Sequence, residues 1–275
     1  MLVDVGAWNP SNQLSDAYNF TLGCPAKVIP TPTPTPTSNN TVQQVNCTSG
    51  MDVIFTVDYT GSMGTAINGV KTSIASIANT IQTESNNDYR LGLVTFDEYG
   101  GGGGTLSNYS SNTQYTTLPS AQKYVNSGLN DTYQWITAWE KMGTNNISTF
   151  TTQLNKLNGA VPLGDGNGTP EPSDMAVDRI VNYDFAGTFR NGVAKIMILI
   201  TDTYPSGNDD DYNATDNDKV KQLITDCNNK NIRVLLMRPS GVNDALKNLA
   251  ISTGGFVTKS FAPNDIIKAI QDICI

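Results

Sequence analysis

Asp58, Thr60 and Ser62 stand at alternate positions of Ile54-Phe55-Thr56-Val57-Asp58-Tyr59-Thr60-Gly61-Ser62-Met63, and each carries a side-chain oxygen. Three hard donors with no His or Cys beside them suit Mg²⁺, Mn²⁺ or Ca²⁺ rather than Zn²⁺. The elements that must hold them can be read on either side. Val53 to Val57 is apolar on both faces and reads as a buried strand. Gly61 and Gly64 allow a tight turn. Ile67, Val70, Ile74, Ile77 and Ile81 recur at helical spacing. The three donors therefore belong to one loop at the carboxyl end of a strand, where open α/β sheets place their ligands. Taken alone, the pentapeptide also fits a turn with a helix cap.

Two later stretches repeat the theme. Lys195 to Asp202 is an apolar strand ending in Thr201-Asp202, and Leu163 to Glu171 is a Gly/Asn/Asp-rich loop containing Thr169-Pro170-Glu171 and leading into a helix with Met175, Ala176 and Ile180. Together with the first loop, these resemble the three metal loops of von Willebrand factor A (vWA) domains, whose Asp-x-Ser/Thr-x-Ser signature forms the metal-ion-dependent adhesion site. Tyr89 to Phe96 resembles the R-x-G-L-V-x-F strand of that family, and Leu249 to Val257 its closing L-A-x-x-T-G-G turn. The resemblance covers about residues 50–275. It implies a doubly wound, Rossmann-like α/β fold: a mostly parallel sheet sandwiched by helices, with one antiparallel edge strand and the metal at its top. It also implies that the Thr60 and Ser62 hydroxyls bind the cation directly. Asp58 and Asp202 would act directly or through water, Thr169 would join in one state, and Asp165 is a secondary candidate. An octahedral Mg²⁺ (or Ca²⁺ or Mn²⁺) held so keeps one position for an oxygen of a partner.

The 275-residue chain has a formal charge of −8 and no histidine. That balance disfavours nucleic acid and anionic membrane surfaces as partners. The missing histidine removes Ser-His, Cys-His and His-zinc chemistry, while paired-carboxylate catalysis stays formally open. The cysteines are Cys24, Cys47, Cys227 and Cys274, with no C-x-x-C pair. Extracellular vWA domains often join their two ends by a disulfide, so the resemblance implies Cys47–Cys274, with free thiols as the alternative. Cys227 reads as a buried thiol, and Cys24 has no obvious partner.

Residues 1–29 mix isolated apolar groups with turn formers, and read as an anchoring or docking segment or as a tail. The first residues lack a basic region and a long apolar core, so no signal peptide is expected there. Residues 30–46 are a Pro/Thr-rich linker held in extended polyproline II. Residues 47–275 form the vWA-like domain, with an aromatic-rich insertion at about 105–145. Gly100 to Gly104 reads as a hairpin or loop tip, and Lys123 to Met142 as a helix or two. The insertion's Tyr and Trp side chains either cover the domain body or form a recognition surface. Helices are expected over Ser148 to Leu157, Asp218 to Asn228, Asn243 to Ser252 and Pro263 to Ile273, and a strand over Ile232 to Met237. Asp209 to Asp211 reads as an acidic rim that could add a weaker Ca²⁺ site.

The function these readings imply is a metal-dependent adhesion or receptor-binding module, not an enzyme, displayed extracellularly or on a surface. Its partner is a protein or glycan offering a carboxylate or other oxygen, with no membrane insertion. A structural or decoration protein of a larger assembly, such as a phage virion or surface fibre joined through residues 1–29, is the alternative. A metal-dependent hydrolase is a third.

Overall fold

The computed structural model describes residues 44–99, 107–128, 133–164, 166, 170–238, 244–258 and 260–275. The amino-terminal segment with Cys24, most of the Pro/Thr linker, the five-glycine run, Asp165 and Thr169 lie outside the described residues.

Among these residues the strands are β1 (Met51–Asp58), β2 (Tyr89–Tyr99), β3 (Lys123–Ser127), β4 (Tyr133–Thr144), β5 (Ala194–Ile200), β6 (Ile232–Met237) and β7 (Phe256–Thr258). They form one sheet in the order β3-β4-β2-β1-β5-β6-β7. The helices are α1 (Gly64–Glu84), a short α2 (Thr113–Thr116), α3 (Ile147–Lys156), α4 (Ser173–Tyr183), α5 (Ala214–Asn229), α6 (Asp244–Ser252) and α7 (Pro263–Ile273). The fold is the doubly wound α/β sandwich expected from the alternation of strands and helices.

β1 is apolar on both faces because both faces are covered. Its Met51, Val53, Phe55 and Val57 join the core against α1, α3 and α7, whereas Ile54 joins the core on the side of α4, α5 and α6. The five α1 residues picked out by helical spacing are all buried, at about 2 kcal/mol each for a side chain of this size. β1 pairs in parallel with β2 on one side and β5 on the other. The order of winding reverses at β1, so its carboxyl end opens at the switch point of the sheet. Near the closing T-G-G turn, a Cβ on Gly255 would lie 1.9 Å from the Val234 carbonyl oxygen, so only glycine fits there.

Two expectations need correction. Lys123 to Met142 forms β3 and β4, not helices. β4 has a strand's period: Trp135 and Trp139 face one core, and Ile136 and Ala138 the other. Its aromatic and β-branched residues suit a pleated surface, and the strand covers the otherwise open edge of β2. The antiparallel strand is β4, but it is not at the edge, because β3 pairs beyond it. The aromatic question resolves towards covering the domain body. Tyr109, Tyr115, Trp135 and Trp139 are buried together, with ring centroids 5.3–6.3 Å apart.

The two ends of the domain meet at the bottom of the sheet. Cys47 and Cys274 form a disulfide, with Cα atoms 5.3 Å apart. Cys227 is a free, buried thiol, and burial pushes its pKa up to about 12. No helix of the described residues is long and apolar enough to cross a membrane.

Candidate metal centre

Asp58 ends β1 and is fully buried. Its Oδ1 accepts from the Thr60 amide (3.1 Å) and the Thr60 hydroxyl (2.7 Å), and its Oδ2 accepts from the Thr201 hydroxyl (2.8 Å). Thr60 Oγ1 lies 3.3 Å from Ser62 Oγ. The chain therefore gathers Asp58, Thr60 and Ser62 into one short file of oxygens that runs from the buried Asp58 out to the exposed Ser62. Asp202 is half-buried beside Thr201, and its charge adds to the forces raising the pKa of Asp58. Thr169 and Asp165 lie outside the described residues.

Tyr59 fixes this loop from beneath. Its ring sits in the aromatic cluster, 5.5 Å from Tyr109 and 6.5 Å from Trp139. Its hydroxyl donates to the Val161 carbonyl (2.9 Å) and accepts from the Asn158 amide (2.9 Å). The Gly164 amide donates to the Tyr59 carbonyl at 2.8 Å, tying the first loop to the second. The insertion thus braces the Asp58 loop from inside the domain.

Sequence reasoning missed three carboxylates that the fold brings to the same end. Asp97 and Glu98 follow Phe96 in β2, whose register against Asp58 sets them beside the first loop. The signal was there, since β2, like β1 and β5, is an apolar strand running into a carboxylate. Asp97 accepts from the Ser107 hydroxyl (2.5 Å) and the Gly166 amide (3.3 Å). A Cβ on Gly164 would fall 2.1 Å from the Asp97 carboxylate, which explains a glycine there. Glu171 is buried, and its Oε2 has no hydrogen-bond partner. A Cβ on Gly166 would lie 2.8 Å from Glu171 Oε1 and 3.0 Å from Thr60 Cγ2, so Glu171 and Thr60 face each other across that glycine. Among the described residues no three Asp, Glu or Cys side chains make a metal cage by themselves; the donor set relies on hydroxyls.

Burial is the main force on all these acids. It pushes Asp58 up to about 6, Asp97 to about 7 and Glu98 to about 9, and Glu171 well above its ordinary value, against hydrogen bonds that lower the first three. Without a cation, each holds its proton more tightly folded than unfolded. The stability they contribute is therefore complete below about pH 4, where unfolded carboxyls titrate, and is lost as pH rises through 6 to 9. Chelated protein is expected to unfold at lower urea at pH 8 than at pH 5.5, and added Mg²⁺ to narrow that gap. Urea titrations at the two pH values check this. Equal or greater stability at pH 8 without metal would mean that the carboxyls are ionised and otherwise compensated.

No protein-family model and no curated protein sequence matches the chain. Solved structures do, in 201 chains. Proximal thread matrix protein 1 from the mussel byssus superposes with a TM-score of 0.50 at 12% identity, over 84% of this chain and 48% of that one. The likeness is one of fold. The present chain spans about half the length of the mussel protein, and at such identity the shared architecture carries no function with it.

Proposed function

We propose that the domain is a metal-dependent adhesion or receptor-binding module of the vWA kind, carried on a surface by the Pro/Thr-rich linker. The observation that supports it most is the file of oxygens from buried Asp58 through Thr60 to exposed Ser62. A cation held there faces outward, within reach of a partner. The all-oxygen donor set fits a hard divalent ion, Mg²⁺ first and Ca²⁺ or Mn²⁺ otherwise. Thr60 and Ser62 would hold it, with Asp58, Asp202 and Thr169 around them and Glu171 facing Thr60 across Gly166. When bound, the ion supplies a coordination place for a carboxylate or other oxygen of a protein or glycan.

The chain's own residues prepare that place. Thr201 and the Thr60 amide hold the Asp58 carboxylate in one orientation. Tyr59 prevents the loop from sliding, and the aromatic cluster behind it excludes water. The chain has no histidine, so imidazole is not available as a general base; the reading of the site as one for binding rests on its exposed Ser62 end. Extracellular display agrees with the Cys47–Cys274 disulfide, since such bonds persist in oxidising compartments.

Calorimetric titration of Mg²⁺ into the protein and its Asp58→Ala variant tests the site. Affinity is expected to fall at least tenfold in the variant, on the scale seen when a residue orienting metal ligands is lost. Equal uptake by both would sink the reading.

A further inference from the structure

Asp174, at the second position of α4, and Asp216, at the third of α5, lie 0% and 3% exposed on the far side of the loop that follows β5. Asp174 Oδ1 accepts from the Gly207 amide (3.1 Å) and the Met175 amide (3.0 Å). Its Oδ2 is buried with no hydrogen-bond partner. Asp216 Oδ2 accepts from the Asn213 amide at 2.7 Å as half of a reciprocal helix cap. The other oxygens of the two aspartates both lie beside Gly207: a Cβ there would lie 2.4 Å from Asp216 Oδ1 and 3.8 Å from Asp174 Oδ2. Both line a cleft of about 210 Å³ together with Asn208, Thr215 and Lys219. The ammonium of Lys219 is taken by Asp178 at 2.9 Å.

We infer that this cleft is a second cation site, independent of the Asp58 loop, in which Asp174 Oδ2 and Asp216 Oδ1 ligate a calcium-class ion, with Asn208 and Thr215 beside them. Buried charges in proteins are paired or coordinate metals. Asp174 is pushed up to about 7 by burial and by the charge of Asp216, and Asp216 is raised by burial and by Asp209 and Asp211. Ca²⁺ accepts six to eight oxygens in flexible geometry, which suits carboxylates and loop carbonyls better than the strict octahedron of Mg²⁺ does. The favourable place of an acid in a helix's first turn explains one oxygen of each aspartate. It leaves unexplained the other oxygen of Asp174, which is buried without a donor. A proton shared between the two is the competing account.

Calcium calorimetry and thermal unfolding of the full chain decide between them. The Asp58→Ala variant is expected to take up one Ca²⁺ and to gain about 5 °C in Tm at saturation. Adding Asp174→Asn, or Asp216→Asn, which keeps a capping oxygen, should weaken that uptake at least tenfold and abolish the gain. Asp174→Asn alone should leave Mg²⁺ uptake at the Asp58 loop unchanged, so failure of one site is read separately from failure of the other. The inference is overturned if the Asp58→Ala protein takes up no Ca²⁺ or if uptake survives Asp174→Asn. A shared proton is indicated if Asp174→Asn also unfolds at a higher temperature than its parent.

Discussion

Replacing Cys47 and Cys274 together by alanine is expected to lower the unfolding free energy by up to about 5 kcal/mol, the chain-entropy value for a closed loop longer than 100 residues. The bridge spans 227 positions and so encloses almost the whole domain. Its stabilisation comes from the unfolded chain, which loses freedom when its ends are tied. The folded ends are already stitched, because the Val45 amide donates to the Ile273 carbonyl (2.7 Å) and the Ile275 amide to the Val45 carbonyl (3.0 Å). The native geometry therefore survives the change, and the midpoint of urea unfolding should fall while the spectrum of the folded state does not alter. Substitution is preferable to a reductant because Cys24 and Cys227 would otherwise complicate the result. A loss below about 1 kcal/mol, an ordinary surface effect, would mean that the unfolded chain is compact enough to make the tie redundant.

Asp52→Ala is the second large loss, at about 3 kcal/mol, the lower part of the range for breaking a buried ion pair because both arginines keep some contact with water. Asp52 is 0% exposed at the bottom of β1. It accepts from Arg90 Nε at 2.9 Å, and from the Arg190 amide and Nε at 2.7 and 2.8 Å. Arg190 also reaches Asp88 at 2.5 Å, and Arg90 the Thr188 carbonyl at 2.7 Å. Removing the carboxylate leaves two guanidinium groups facing a hole between β1, β2 and the loop before β5. Burial would raise the pKa of Asp52, but hydrogen bonds and charge from Arg90 and Arg190 outweigh it and hold it below the ordinary carboxylate value. Its contribution is therefore present above the unfolded value near pH 4 and lost as pH falls through the lower folded value. Wild type and Asp52→Ala should converge in stability below pH 4, opposite in sign to the acids around the Asp58 loop. A gap that stays constant down to pH 2 would assign the loss to packing and not to charge.

The local grammar of the chain was enough for much of the architecture. An apolar run closed by Asp58, glycines in the turn and isoleucines at helical spacing define β1, the loop and α1 without help from elsewhere. The same kind of pattern located β5, β6 and α7, because burial on one or both faces is written into the period of each segment. The cysteine pair followed from the family resemblance, and the fold brings the two ends together.

Other features depend on which distant segments meet, and periodicity within a segment says nothing about that. Lys123 to Met142 has the aromatics of a strand, yet its partner is the edge of β2, whose need for pairing appears only once the sheet is assembled. Glu171 is an ordinary loop glutamate until Gly166 presses it against Thr60. Asp174 and Asp216 look like two separate helix-start acids, 42 positions apart in sequence. Only the packing of α4 and α5 around the loop after β5 sets both carboxylates on one cleft. Residue type and spacing determined which oxygens the chain can offer. The tertiary structure decided which of them share a space without water, because desolvation and charge coupling arise between surfaces that the linear order keeps apart.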